Sequence, residues 1–167
     1  MRVVYSPSPR LWYDDGFLSS ETPRVSKPTV TRADFQELAA VRLAEAKALL
    51  DASMWDGAYY LAGYAVEVGL KACIIKRVQA TDAFLEKKYS ERCYTHDLRE
   101  LLVLAGSKAS WDAARTKSKS FLEYSEEVFN WSERTRYQRT DRLDAKKLYK
   151  AIADTKYGVF KWIQTQW

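Results

Sequence analysis

Glu67 and Lys71 stand one helical turn apart in the middle of a stretch, Ala58 to Ile75, that holds no other charge. At i and i+4 of a helix they can form an ion pair, with the glutamate in the favourable N-terminal place. Tyr60, Tyr64, Glu67, Lys71 and Ile74 recur at four-three-four-three spacing, so the charges share a stripe with two tyrosines. Charges on so apolar a helix are costly unless each is paired or faces a wet cleft. Two roles are open: mutual neutralisation at a buried edge, or a ligand site in which Glu67 orients an arginine from elsewhere.

Two further groups carry chemistry. The run Trp131-Ser-Glu-Arg-Thr-Arg-Tyr137 places the guanidinium forks of Arg134 and Arg136 beside two aromatic rings. Forks of this kind grip phosphate, and an aromatic face stacks on a base. The competing reading is that Arg136 pairs with Glu67 or Glu133 and closes the fold. His96, the sole histidine, follows Thr95, a helix-capping type, and its ring can bond nearby backbone or Glu67. Asp97 beside it is explained by the dipole of a first helical turn. One histidine excludes a His-rich zinc site, and two unpatterned cysteines, Cys73 and Cys93, make neither a disulfide framework nor a metal centre. They read as reduced thiols of a cytoplasmic protein.

The elements that must position these groups are helical. All four prolines (Pro7, Pro9, Pro23, Pro28) fall in the first 28 residues, and glycine is scarce afterwards. Residues 1–30 read as an extended arm with no signal peptide or membrane span, which Trp12, Tyr13, Phe17 and Leu18 can dock onto the body. Residues 31–167 read as one domain. Thr31 and Asp34 match a capping box, and Phe35, Leu38, Ala39, Ala46, Leu49 and Leu50 follow at helical spacing, predicting a helix over about 32–52. The apolar stretch predicts a second helix from Trp55 to about Arg77 or Val78, buried on every side and hence central. Ala58, Ala62, Ala65, Gly69 and Ala72 form a small-residue seam on it for close packing. A long polar loop over 79–94, with one short turn around Phe84 and Leu85, leads to a short helix capped by Thr95 and stopped at Gly106. Another helix includes Phe121, Leu122, Tyr124, Val128 and Phe129. The last starts at Asp141 or Asp144 and turns Leu148, Ile152, Val159 and Ile163 inward. The expected architecture is all-α, an up-and-down bundle of four to five helices.

Taken in order, Ala65, Glu67, Leu70, Lys71 and Ala72, then Thr95-His-Asp-Leu98, then the Trp131–Tyr137 run resemble the HEPN family over roughly residues 32 to 165. The resemblance implies a small helical bundle, usually a homodimer, linked to nucleotide or RNA chemistry. It further implies a minimal nucleotidyltransferase as partner, in a toxin-antitoxin or defence module. Ribonuclease members carry an arginine followed four to six residues later by a histidine. The histidine would move the proton of a ribose hydroxyl while the arginine steadies the scissile phosphate. If Arg136 fills the arginine place, the histidine positions hold Asp141, Arg142 and Leu143, so that motif fails. Arg92 precedes His96 by too few residues and in another part of the fold.

Charge agrees with a polyanionic ligand. Residues 131–167 hold nine Lys/Arg against four Asp/Glu, which accounts for the whole formal charge of +5. Arg139, Arg142, Lys146 and Lys150 form one basic stripe, which is equally compatible with a solvated helix face. The sequence reading is therefore a non-catalytic nucleotide- or RNA-binding domain without metal or cofactor, its site lined by Tyr60, Tyr64, Glu67, Lys71, His96, Arg134, Arg136 and Tyr137. The alternatives are a divergent metal-independent ribonuclease toxin using Arg136 with His96 or Asp141, and a dimeric interaction module that buries the tyrosine stripe.

Overall fold

A computed structural model describes residues 30–82 and 86–167. The expected arm and the turn at Phe84 and Leu85 fall outside these residues. The described chain is all-helical: α1 (Arg32–Asp51), α2 (Trp55–Gln79), α3 (Lys87–Arg92), α4 (Leu98–Leu104), α5 (Lys108–Lys117), α6 (Lys119–Val128), α7 (Arg142–Ala153) and α8 (Val159–Gln166), with a 3-10 turn over Glu133–Tyr137.

α1 begins at the capping box. The Thr31 hydroxyl accepts from the Asp34 amide at 3.2 Å, and the Asp34 carboxylate accepts from the Thr31 amide at 2.7 Å. Its C-terminus folds into a Schellman turn, in which the Ser53 amide donates to Leu50 O and the Met54 amide to Leu49 O. Ser53 takes the left-handed place, φ 61°, that glycine usually fills. α2 then returns along α1, turning Ala39 and Ala46 inward.

α2 is the central element, packing against α1, α4, α7, α8 and the 3-10 turn. By length and composition it is apolar enough to cross a membrane, yet 67% of its most apolar window is buried within the protein. The seam residues Ala58, Ala62, Ala65, Gly69 and Ala72 are all buried. The reason shows at Gly69: a β-carbon there would meet Ile163 at 3.0 Å, so α8 lies close because the side chain is missing.

Three expectations are corrected. The polar stretch after α2 contains α3, whose Tyr89 hydroxyl donates to Leu104 O at 2.8 Å and ties the short helix to the end of α4. The N-cap of α4 is Asp97, accepting from the Arg99 and Glu100 amides at 2.8 and 3.2 Å, while Thr95 accepts only from the Asp97 amide. The last helix is two. Asp154 accepts from the Lys156 and Tyr157 amides, and at Gly158 a β-carbon would stand 2.4 Å from Asp154 O. The chain breaks there and both halves still turn apolar residues inward, Leu148 and Ile152 from α7, Val159 and Ile163 from α8. The four to five expected helices thus become eight: α3 and α5 are added, and the Asp154 turn splits the last helix into α7 and α8.

Candidate functional site

Glu67 is 1% exposed, on the side of α2 that faces the start of α4. Two side chains satisfy it. The Lys71 ammonium donates to Oε1 at 2.9 Å, and His96 Nδ1 lies 3.0 Å from Oε1 and 3.1 Å from Oε2. A carboxylate oxygen accepts, so Nδ1 is the donor of this contact and Nε2 takes no part in it. A buried carboxylate behind a half-exposed imidazole fixes both tautomer and ring orientation. It is the arrangement in which a histidine can exchange a proton with a bound group. The ion pair foreseen on α2 is therefore present, with His96 as its third member. Neither Arg134 nor Arg136 reaches Glu67: Arg134 lies 4.0 Å from Glu133, and Arg136 sits 5.0 Å over the Tyr137 ring.

His96 opens into a cleft of about 580 Å³ between Thr95–Arg99 and Phe129–Arg134. Arg134 lines its rim with 83% of its side chain exposed. Across from it, the Arg99 guanidinium rests on the Phe129 ring at 4.1 Å. Among the described residues Arg99 has no carboxylate within ion-pair distance, so its charge is held in place by a ring that does not neutralise it. Two acids line the cleft, Asp97, which caps α4, and Glu133, which lies 4.0 Å from Arg134; Glu100 nearby pairs with Arg92 at 2.8 Å. Two guanidinium forks and an imidazole around one cleft can hold a phosphate from several sides.

The back wall is Trp131, 4% exposed. It lies flat against α2 at Gly63, where a β-carbon would stand 2.3 Å from the indole, and its centroid is 6.2 Å from the Tyr60 ring. Tyr60 and Tyr64 stack at 6.0 Å with a 7° interplanar angle, continuing the aromatic stripe along α2. Burial and the neighbouring Glu67 push the Tyr64 phenol above its ordinary value, so it remains a neutral hydroxyl. The indole Nε1 of Trp131 is buried and has no hydrogen-bond partner among the described residues.

The eight site residues read from the sequence thus separate. His96 and Arg134 line the cleft, and Glu67 supports it from beneath through His96. Lys71 lies one turn further along the same stripe of α2 and lines a different hollow, and Tyr60 and Tyr64 lie behind Trp131. Arg136 and Tyr137 form their own exposed pair on the 3-10 turn, the Tyr137 ring 81% exposed. Trp131 is a wall and not a free stacking face. Of the expected basic stripe, Arg139 pairs with Asp56 at 2.8 Å, leaving Arg142, Lys146 and Lys150 on the exposed side of α7. Arg99 and Phe129 were not foreseen. Arg99 follows His96 within the first turn of a helix, but nothing in the spacing connects it to a ring thirty residues away. No group of three or more His, Cys, Asp or Glu side chains suited to a metal occurs among the described residues. Compared with known proteins, the chain matches no family model, no curated protein and no solved structure.

Proposed function

We propose that the cleft between the start of α4 and the Phe129–Arg134 segment binds a phosphate group of a nucleotide or RNA, in a domain of HEPN type. The observation that carries this is the convergence of Arg99, Arg134 and His96 on one cleft, with the imidazole fixed from behind by buried Glu67. The basic balance of residues 131–167 supports a ligand longer than one nucleotide. A homodimer acting beside a nucleotidyltransferase is the assembly that fits such a domain. Titration of labelled single-stranded RNA and of nucleoside triphosphates at several salt concentrations tests the reading. Binding should weaken as salt rises and lose about tenfold or more in Arg134→Ala and Arg99→Ala, because each fork makes charge-assisted bonds to phosphate. Binding unaffected by both substitutions, or insensitive to salt, would refute it.

The Glu67–His96 hydrogen bond favours a second reading, a metal-independent ribonuclease. His96 Nε2 would take the proton of a ribose 2′-hydroxyl, whose oxygen bonds to the adjacent phosphorus as the bond to the 5′-oxygen breaks; water would give that leaving oxygen its proton, and Arg134 would steady the phosphate. This pairing replaces Arg136 with Arg134 and uses a histidine from a different part of the chain. RNA incubated in chelator with wild type, His96→Ala, Arg134→Ala and Arg136→Ala separates the two. Cleavage lost in His96→Ala establishes the nuclease, and intact RNA with retained binding leaves the binding function.

A further inference from the structure

The buried Glu67 carboxylate is shared by two nitrogen donors with different surroundings. Oε1 accepts from Lys71 Nζ at 2.9 Å and from His96 Nδ1 at 3.0 Å, so the two nitrogens stand less than 6 Å apart. The His96 ring lines the cleft. Lys71 does not, because its side chain runs along the hollow bounded by Phe35, Ile74 and Cys93. We propose that Lys71 is a positioning residue that restrains the cleft: by holding Glu67 it limits the positive charge His96 can carry, and removing its ammonium tightens phosphate binding. This deepens the phosphate reading of the cleft and rests on it.

The sign follows from the charges around the ring. α2 supplies Glu67 and Lys71, the segment that carries the ring supplies Asp97 and Arg99, and the 3-10 turn supplies Glu133 and Arg134. Arg92 of α3 and Glu100 of α4 neutralise each other. Asp97, Arg99 and Arg134 are exposed and Glu133 is half-buried, so solvent screens them. Glu67 is fully buried, and its pairings are the least screened of the set. An ammonium on Oε1 opposes a second cation at the same oxygen, since like charges a few ångströms apart disfavour each other. Without the ammonium the whole carboxylate charge acts on His96, and the ring keeps its proton to higher pH. A phosphate in the cleft is attracted by the charged ring, so proton and phosphate binding reinforce each other. A lysine that gripped phosphate directly would act in the opposite sense.

His96 is the sole histidine, so NMR of the full chain reads its titration without overlap. The titration is run on wild type, Lys71→Gln, Lys71→Met and Lys71→Arg, beside binding of labelled single-stranded RNA at pH 7.5 and pH 9. Glutamine keeps a donor for Glu67 without the charge, and arginine keeps both, which separates lost packing from lost charge. The His96 midpoint should move up by about one pH unit in the two neutral variants and stay near wild type in Lys71→Arg. At pH 7.5 the neutral variants should bind RNA about three- to tenfold tighter, and at pH 9, where imidazole carries no proton, all four should bind alike. A midpoint that stays or falls in both neutral variants, or RNA binding that weakens in them at pH 7.5, overturns the proposal. If Arg134→Ala still loses RNA in that case, the phosphate reading survives it. RNA bound by none of the proteins overturns both. Circular dichroism checks that each variant keeps its helix, and Lys71→Gln carries the test if Lys71→Met unfolds.

Discussion

Replacing Glu67 by glutamine keeps the shape of the most deeply buried acidic side chain among the described residues and removes its charge. The amide retains one acceptor oxygen where the carboxylate served both Lys71 and His96, and its NH₂ must face one of two donors. Removing one member of a fully buried pair costs about 3–5 kcal/mol. Lys71 keeps 18% of its side-chain exposure and His96 46%, so both partners recover part of their hydration. That places Glu67→Gln below that range, at about 2–3 kcal/mol. For a chain of this size the melting temperature should fall by about 5–10 °C. The double variant Glu67→Leu/Lys71→Met should lose less than Glu67→Gln, because it leaves no ammonium facing an uncharged partner. Urea unfolding followed by circular dichroism gives the free energies, with an unchanged m-value as the check that the compact state is the same. Glu67→Gln within about 0.5 kcal/mol of wild type, or a double variant less stable than the single, would refute the reasoning.

Gly63→Ala should destabilise by about 1–2 kcal/mol although alanine is the better helix former, because its β-carbon would overlap the Trp131 ring. A double-mutant cycle with Trp131→Leu should show strong coupling between the two positions. Ser53→Gly should raise stability by about 0.5–1 kcal/mol by relieving a left-handed serine, measurable as a higher urea midpoint. Gly106→Ala should lower it by about 1 kcal/mol or more, since Gly106 has φ 70° and its missing side chain admits Arg77, which donates to Val103 O and Leu104 O. Asp56 is held below the ordinary carboxylate range, chiefly by the Thr140 amide and then by Arg139, and Asp154 by the amides of Tyr157 and Lys156. Both folded values are depressed, so their contribution is complete above the unfolded value near pH 4 and is lost as pH falls through the folded one. The stability–pH curve of Asp56→Asn should therefore be flatter than that of wild type below about pH 4, with no change in slope near neutrality.

Much of this was legible along the chain because it is local. The capping box at Thr31, the end of α4 at Gly106 and the reach of α2 follow from short-range backbone chemistry and from an apolar pattern with few interruptions. Glu67 and Lys71 were legible as a pair because four residues along a helix are neighbours in space. The cleft was not legible in the same way. His96 meets Glu67 across 29 positions, and the Arg99 guanidinium meets the Phe129 ring across thirty. Two arginines two positions apart, Arg134 and Arg136, are sent to different neighbours by a 3-10 turn whose direction depends on Trp131 seating against Gly63. The break between α7 and α8 is local by contrast, made by the Asp154 carboxylate accepting from the Lys156 and Tyr157 amides, and only the packing of both helices against α2 is tertiary. What the sequence alone determined is the set of helices with strong local periodicity and the charged pair on the most apolar of them. Tertiary structure decided which cations share a cleft, because that depends on how closely helices far apart in the chain approach, and small residues such as Gly63 and Gly69 set that approach by what they lack.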